Sequence, residues 1–193
     1  MKDLVQVFEF GQWEIKFYQA RDRHVIDLPA YSQAFISGDP DAQMNKFGIE
    51  LFEAGRLKSA CSIAADGGGT GIGPATTLIN LDGLVICCGN TVFKLSLPGL
   101  DLVWQTVCDT ATCFEIYNFQ QDYIVHGELE ISRLDKNGNI IWQRGGKDIF
   151  TTLEGINDFA VYDNYIVATD WRYNQYEFDG EGNLLEPVGP ANK

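Results

Sequence analysis

A module of about forty residues recurs along this chain, and it limits the possible folds more than any other feature. Asp82–Gln105 reads DGLVICCGNTVFKLSLPGLDLVWQ and Gln121–Gln143 reads QDYIVHGELEISRLDKNGNIIWQ. Each copy runs through an apolar strand, a polar break, a second strand, a Gly-containing turn and a last strand ending in Trp-Gln. Asp163–Pro187 repeats the pattern without the Trp. With the turn glycine as marker, the copies fall at Gly55, Gly99, Gly138 and Gly182, spaced 44, 39 and 44 residues apart.

A period near forty with about four strands per period is the signature of a β-propeller array. The strands can be written down for three units: TTLINL, LVICC, TVFKLSL and LVWQTV; CFEIYNF, YIVHG, LEISRL and IIWQRG; DFAVYD, YIVAT, NQYEF and LLEPVG. The second strand of each is apolar on consecutive positions, as a strand buried on both faces requires. Asn137-Gly138 and Gly182-Asn183 supply the positive φ of tight hairpins. No long amphipathic helix is readable. The expected fold is all-β: a small propeller-like array of about four antiparallel four-stranded blades, forming one domain over residues 1–193.

Residues 76–188 hold the three clear repeats, and residues 1–75 are the irregular part. VFEFGQWEIKFY alternates with period two around Gly11, His24–Ile36 is strand-like but broken by Pro29, and Ser37–Asn45 is polar, with a short helical turn from Asp39. This part is either an irregular first blade or a β-cap on three blades.

The formal charge is −13. Phosphate backbones and anionic membrane surfaces would be repelled, so nucleic acid and membrane are excluded as partners. Residues 1–75 hold seven Lys/Arg against ten Asp/Glu, and residues 76–193 hold seven against seventeen. A basic protein partner or a bound cation would suit that second part. MKDLVQVFEF is too charged for a signal peptide, and no run reaches membrane-spanning length. Five cysteines, an odd number without an export signal, predict reduced thiols in a cytoplasm.

The hairpins VFKLSLPGLDLVWQ and ISRLDKNGNIIWQ resemble the repeats of quinoprotein-type propellers, over roughly residues 76–188. In that family a strand ending in Leu-Asp meets a Gly turn and then a strand ending in Trp. The resemblance implies blade architecture. The family's cofactor-binding residues have no counterpart here, and no cofactor is expected. Ser59 and Glu186 stand where the Trp would be in the first and last units, so docking between blades should differ there. The chain is also similar to small acidic, β-rich bacterial proteins, some of which neutralise toxins.

Five groups of residues are candidates for function. The run DGGGTGIGP, Asp66–Pro74, places Gly67, Gly68, Gly69, Thr70 and Gly71 where a phosphate could be cradled. It fits neither common nucleotide pattern, and a loop crossing between blades explains it more simply. Overlaying the repeats brings Cys87, Cys88 and His126 to equivalent strand ends, where thiolate and imidazole could hold zinc; small buried thiols are the simpler reading. Cys108 and Cys113 flank a short loop as a possible redox pair. Glu128 and Glu130 share one strand face. They suit a solvated acidic stripe better than a glycosidase acid and base, and no catalytic residue is assigned.

TDWRYNQY supplies Trp171, Arg172 and Tyr173, residue types favoured at binding hot spots. With Asp170, Glu128 and Glu130 they make an expected acidic rim. The function this predicts is a non-catalytic cytoplasmic binding protein for a macromolecular partner. An immunity-type inhibitor of a basic toxin is its sharpest form. The alternative is a small-molecule or metal-dependent enzyme using the Gly-rich loop or the Cys/His/acid cluster.

Overall fold

The computed structural model describes residues 2–20, 31–39, 45–155 and 158–185. The described residues form no helix. Their strands are β1 (Lys2–Phe10), β2 (Trp13–Ala20), β3 (Ala34–Ser37), β4 (Asn45–Glu53), β5 (Arg56–Ala65), β6 (Thr77–Asn80), β7 (Gly83–Cys88), β8 (Thr91–Leu95), β9 (Leu102–Val107), β10 (Cys113–Phe119), β11 (Asp122–Gly127), β12 (Glu130–Leu134), β13 (Ile140–Gly145), β14 (Phe159–Val161), β15 (Tyr165–Thr169) and β16 (Gln175–Asp179). The start of the strand-like stretch at His24 and most of the turn expected after Asp39 lie outside the described residues.

Four sheets follow in chain order. The second is β6-β7-β8-β9 and the third β10-β11-β12-β13, both antiparallel meanders, as the repeat predicts. The fourth is β14-β15-β16, with a bridge from Phe178 to Leu184 where a fourth strand would begin. The first departs from the module. It has five strands in the order β1-β2-β4-β5-β3, and β3 lies parallel to β5 along its edge.

Consecutive sheets share apolar cores. One cluster joins the first and second sheets through Phe17, Phe47, Ile49 and Ile63 against Leu84, Ile86, Phe93 and Leu95. Val85, Cys87 and Val92 of the second sheet pack with Ile116, Val125 and Leu134 of the third. Phe119, Ile124, Ile131 and Trp142 of the third pack with Ile166, Ala168 and Phe178 of the fourth. All six residues of β7 are buried, and their alternation feeds two different cores. Burial of each large apolar side chain is worth about 1.5–3 kcal/mol, so these cores hold the series together.

The Trp-Gln doublet is the coupling between sheets. Adjacent strand residues point to opposite faces, so the Trp reaches forward and the Gln backward. Trp104 Nε1 donates to Lys136 O of the next sheet (3.1 Å), and Gln105 Nε2 to Ile36 O of the preceding one (3.3 Å). Trp142 Nε1 donates to Gly180 O (2.8 Å) and Gln143 Nε2 to Cys108 O (2.8 Å). Each indole lies over the turn glycine of the following unit. A Cβ on Gly138 would come within 2.5 Å of the Trp104 ring, and one on Gly182 within 2.6 Å of Trp142. Both glycines also have positive φ, +83° and +77°. At the first joint, Ser59 replaces the Trp and its hydroxyl bonds Pro98 O in the same manner.

The antiparallel order sorts the connections to two ends. The hairpin loops β7–β8, β11–β12 and β15–β16 share one end with the crossings β5 to β6, β9 to β10 and β13 to β14. The turns β6–β7, β8–β9, β10–β11 and β12–β13 lie at the other.

Candidate functional site

The end that gathers hairpin loops and crossings is organised by carboxylates. Asp109, only 1% exposed, follows β9. Its Oδ1 accepts from the backbone N–H of Ala111 (2.6 Å) and Thr112 (3.2 Å), and its Oδ2 from Leu129 and Glu130 (2.8 Å each). One carboxylate thus ties a crossing to the hairpin loop of the next sheet. Asp148 follows β13 and does related work: Oδ1 accepts from Ile149 N (3.0 Å) and Oδ2 from Arg172 Nε in the next hairpin loop (2.8 Å). Asp66 follows β5, and its backbone O accepts from Asn90 N in the β7–β8 loop (2.8 Å). These three aspartates recur at 43 and 39 residues, the period of the repeat itself, so the signal is present in the sequence.

Asp170 was expected on the rim. The structure buries it completely, beneath its own loop. Oδ1 accepts from Arg172 N and Asn174 N (2.9 Å each), and Oδ2 from Asn174 Nδ2 (2.8 Å) and Tyr176 OH (2.9 Å). Burial pushes its carboxyl up, but the bonds from Asn174, Tyr176 and Arg172 outweigh that and hold it below the usual range. Asp170 shapes the loop that presents its neighbours. Trp171, Arg172 and Tyr173 are the exposed ones, Trp171 at 43% and Tyr173 at 57%.

Three segments meet around them. Phe150 N donates to Glu128 O (2.7 Å), Trp171 N to Ile149 O (2.8 Å), and Tyr173 OH to Glu154 Oε2 (2.8 Å). This sets residues 128–130, 148–154 and 170–173 side by side. The face so formed presents Leu129, Leu153, Trp171 and Tyr173 as exposed apolar groups. Glu128, Glu130 and Glu154 stand among them, with Arg172 bound to Asp148. Partial burial and the nearby Asp109 push the Glu130 carboxyl up, and the bond to Glu154 pushes the Tyr173 hydroxyl up. Leu129, Leu153 and Glu154 escaped the sequence reading, because exposed loop residues of ordinary type carry no pattern.

The Gly-rich run lies at the same end. Gly67 has φ +103°, and a Cβ there would collide with Ala111 O. Gly68 N donates to Ala111 O (3.1 Å). Thr70, 5% exposed, places its hydroxyl 3.3 Å from Gly89 O and 3.2 Å from Cys113 O. These residues are engaged in the crossing between the first and second sheets, whereas Gly69 and Gly71 face open space.

Cys87, Cys88 and His126 do not converge. Cys87 lies in the core between the second and third sheets and Cys88 in the core between the first and second. His126 Nε2 is 2.7 Å from Phe150 O and Nδ1 is 3.0 Å from Glu115 Oε2, while the ring stacks on Phe159 with centroids 4.2 Å apart. Both nitrogens are therefore engaged. The His126 bond holds the Glu115 carboxyl below its usual range. Among the described residues no group of three or more His, Cys, Asp or Glu side chains could hold a metal. All five cysteines are free and buried, Cys108 and Cys113 included. Burial pushes the Cys61 thiol up to about 12.

No protein-family model matches this chain, and no curated protein matches it. Solved structures do. BamB from Moraxella catarrhalis, a β-propeller, superposes with a TM-score of 0.53 at 14% identity, over 94% of this chain and 60% of that one. The computationally designed Ika8 protein gives 0.52 at 9% identity, over 95% and 60%. The designed Ika4 protein gives 0.50 at 11%, over 61% and 73%. The chain thus spans about 60% of the length of BamB and Ika8. At such identities the likeness concerns fold alone, and it is consistent with propeller-like architecture.

Proposed function

We propose that this chain is a non-catalytic binding protein that holds a protein partner on the face built by residues 128–130, 148–154 and 170–173. The observation that carries this reading is the coincidence of four exposed apolar side chains: Leu129, Trp171 and Tyr173 on loops braced from beneath by the buried Asp109 and Asp170, and Leu153 beside Thr151 and Thr152, which donate to Asp158. Aromatic anchors on a pre-formed surface lose little conformational entropy on binding, which favours affinity. The surrounding carboxylates favour a basic partner by steering its approach. In its finest form the proposal is a cytoplasmic bacterial protein, an immunity-type inhibitor of a basic toxin, in which quinoprotein-type blades serve as architecture.

Affinity capture with wild-type bait and a Trp171→Ala/Tyr173→Ala bait, run side by side on extract of the source cell, tests it. The reading expects a basic protein enriched on the first bait and reduced at least about tenfold on the second, as for loss of a hot spot. Equal enrichment on both would discard it.

A further inference from the structure

We propose that the cleft between the second and third sheets, at the end opposite the loop face, binds a small organic anion whose carboxylate or phosphate head pairs with Lys94. The cleft measures about 470 Å³ and is lined by Asp82, Lys94, Val103, Trp104, Lys136 and Asn137. That is room for a small molecule. It is independent of the partner face above.

An internal comparison between repeats carries the argument. Lys94 on β8 and Arg133 on β12 hold the same register position: each pairs across its sheet with the docking Trp, Lys94 with Trp104 and Arg133 with Trp142. Arg133 is fully matched. Its Nε and Nη2 donate to Asp122 Oδ2 at 2.9 and 2.6 Å, and its Nη1 donates to Gly180 O at 2.6 Å. Lys94 has no such counter-ion among the described residues. The position of Asp122, first in its strand and opposite the last residue of the preceding one, is held in the second sheet by Gly83. Gly83 has φ +136°, and a Cβ there would collide with Leu95 O, so that backbone cannot carry an aspartate.

Lys94 is nevertheless 7% exposed. Among the described residues its ammonium has a single hydrogen-bond contact, the Tyr123 hydroxyl at 3.5 Å, and sits 5.9 Å from the centre of that ring. A buried cation without an anion is costly, and a bound anion would supply what Asp122 supplies to Arg133. Lys136 brings a second positive charge to the rim, and neither lysine forms an ion pair among the described residues. Lysine is a compact charge that accepts either head group. Trp104 and Val103 offer an apolar wall to the body of the ligand. Asp82 and the overall charge of −13 oppose an anion. At about 0.15 M salt charges beyond roughly 8 Å are screened, and the near contacts decide.

Titration of the full chain with benzoate and with phenyl phosphate at that salt concentration, followed through the Trp104 indole N–H resonance, tests the proposal. Benzyl alcohol is the neutral control. A saturable shift with at least one anion is expected, weaker by about tenfold or more for benzyl alcohol and for Lys94→Met, as for loss of a charge-assisted contact. Lys136→Gln should weaken it less, and it remains usable if Lys94→Met fails to fold. No saturable shift with either anion up to about 20 mM, well beyond the range of a specific site, would overturn the proposal. So would equal response to the alcohol, or unchanged affinity in a folded Lys94→Met.

Discussion

Asp170 shows how a polar side chain can determine a surface without belonging to it. Its place beside Trp171 and Arg172 in sequence predicts a rim carboxylate, and the structure buries it instead. Nothing in a sequence of strands says which polar residue of a loop folds back under it; that depends on hydrogen bonds made only when the loop closes. Asp170→Asn should destabilise the fold by about 1–3 kcal/mol, since donors from the backbone and Tyr176 lose a charged acceptor. The pH dependence has a definite sign. The native carboxyl lies below its ordinary value, so its contribution is present above the unfolded pKa of about 3.9 and is lost as pH falls through the native pKa. Urea unfolding between about pH 5 and 2 should show a steeper loss of stability in wild type than in Asp170→Asn. Equal slopes would mean the carboxylate is not preferentially stabilised in the fold. Cys87 and Cys88 teach the converse lesson. Consecutive residues of a strand buried on both faces must enter different cores, so their separation follows from the sequence.

The strands of the second and third sheets were legible because period-two patterning, turn glycines and the repeat all agree. The parallel pairing of β3 with β5 was not, because its partner is reached by a crossover that leaves no local mark. In the sequence the Trp and the turn Gly read as two marks of one unit. In space they belong to a joint between adjacent units, Trp104 on Gly138 and Trp142 on Gly182. Two predictions follow from that assignment. Trp142→Ala, at a residue 5% exposed, should cost about 3–5 kcal/mol, whereas Trp171→Ala should cost under about 1 kcal/mol, as at a surface position. Denaturant midpoints decide between these, and similar losses at both sites would contradict the division into joint and surface. Gly182→Ala meets both a positive φ and the Trp142 ring, so it should cost more than the roughly 1–2 kcal/mol of a left-handed backbone alone. A stability within about 0.5 kcal/mol of wild type would show that the turn can move away.

At the scale of the molecule, the described residues form a series of sheets joined through three shared cores, each contributed by two neighbours. The buried thiols lie in the first two of these cores, so their reactivity reports on the joints. Labelling with a thiol reagent at neutral pH should be slow in native conditions and should accelerate in parallel with urea unfolding. A cysteine that reacts at once in the native protein would show that its joint opens locally. No helix among the described residues is long and apolar enough to cross a membrane. The acidity is concentrated in residues 76–193, with seven Lys/Arg against seventeen Asp/Glu, and its consequence for the proposed partner is kinetic: raising salt from about 0.05 to 0.5 M should slow association by tenfold or more. An unchanged rate would remove the electrostatic part of the proposal while leaving the apolar part standing.

The claim on which the functional account rests is that the partner sits where the crossings and hairpin loops meet. Amide hydrogen exchange of the complex against the free protein measures this directly. Protection should appear at residues 128–130, 148–154 and 170–173. Protection concentrated instead at the opposite turns, residues 81–82, 135–139 and 180–183, would place the binding surface on the wrong end of the molecule.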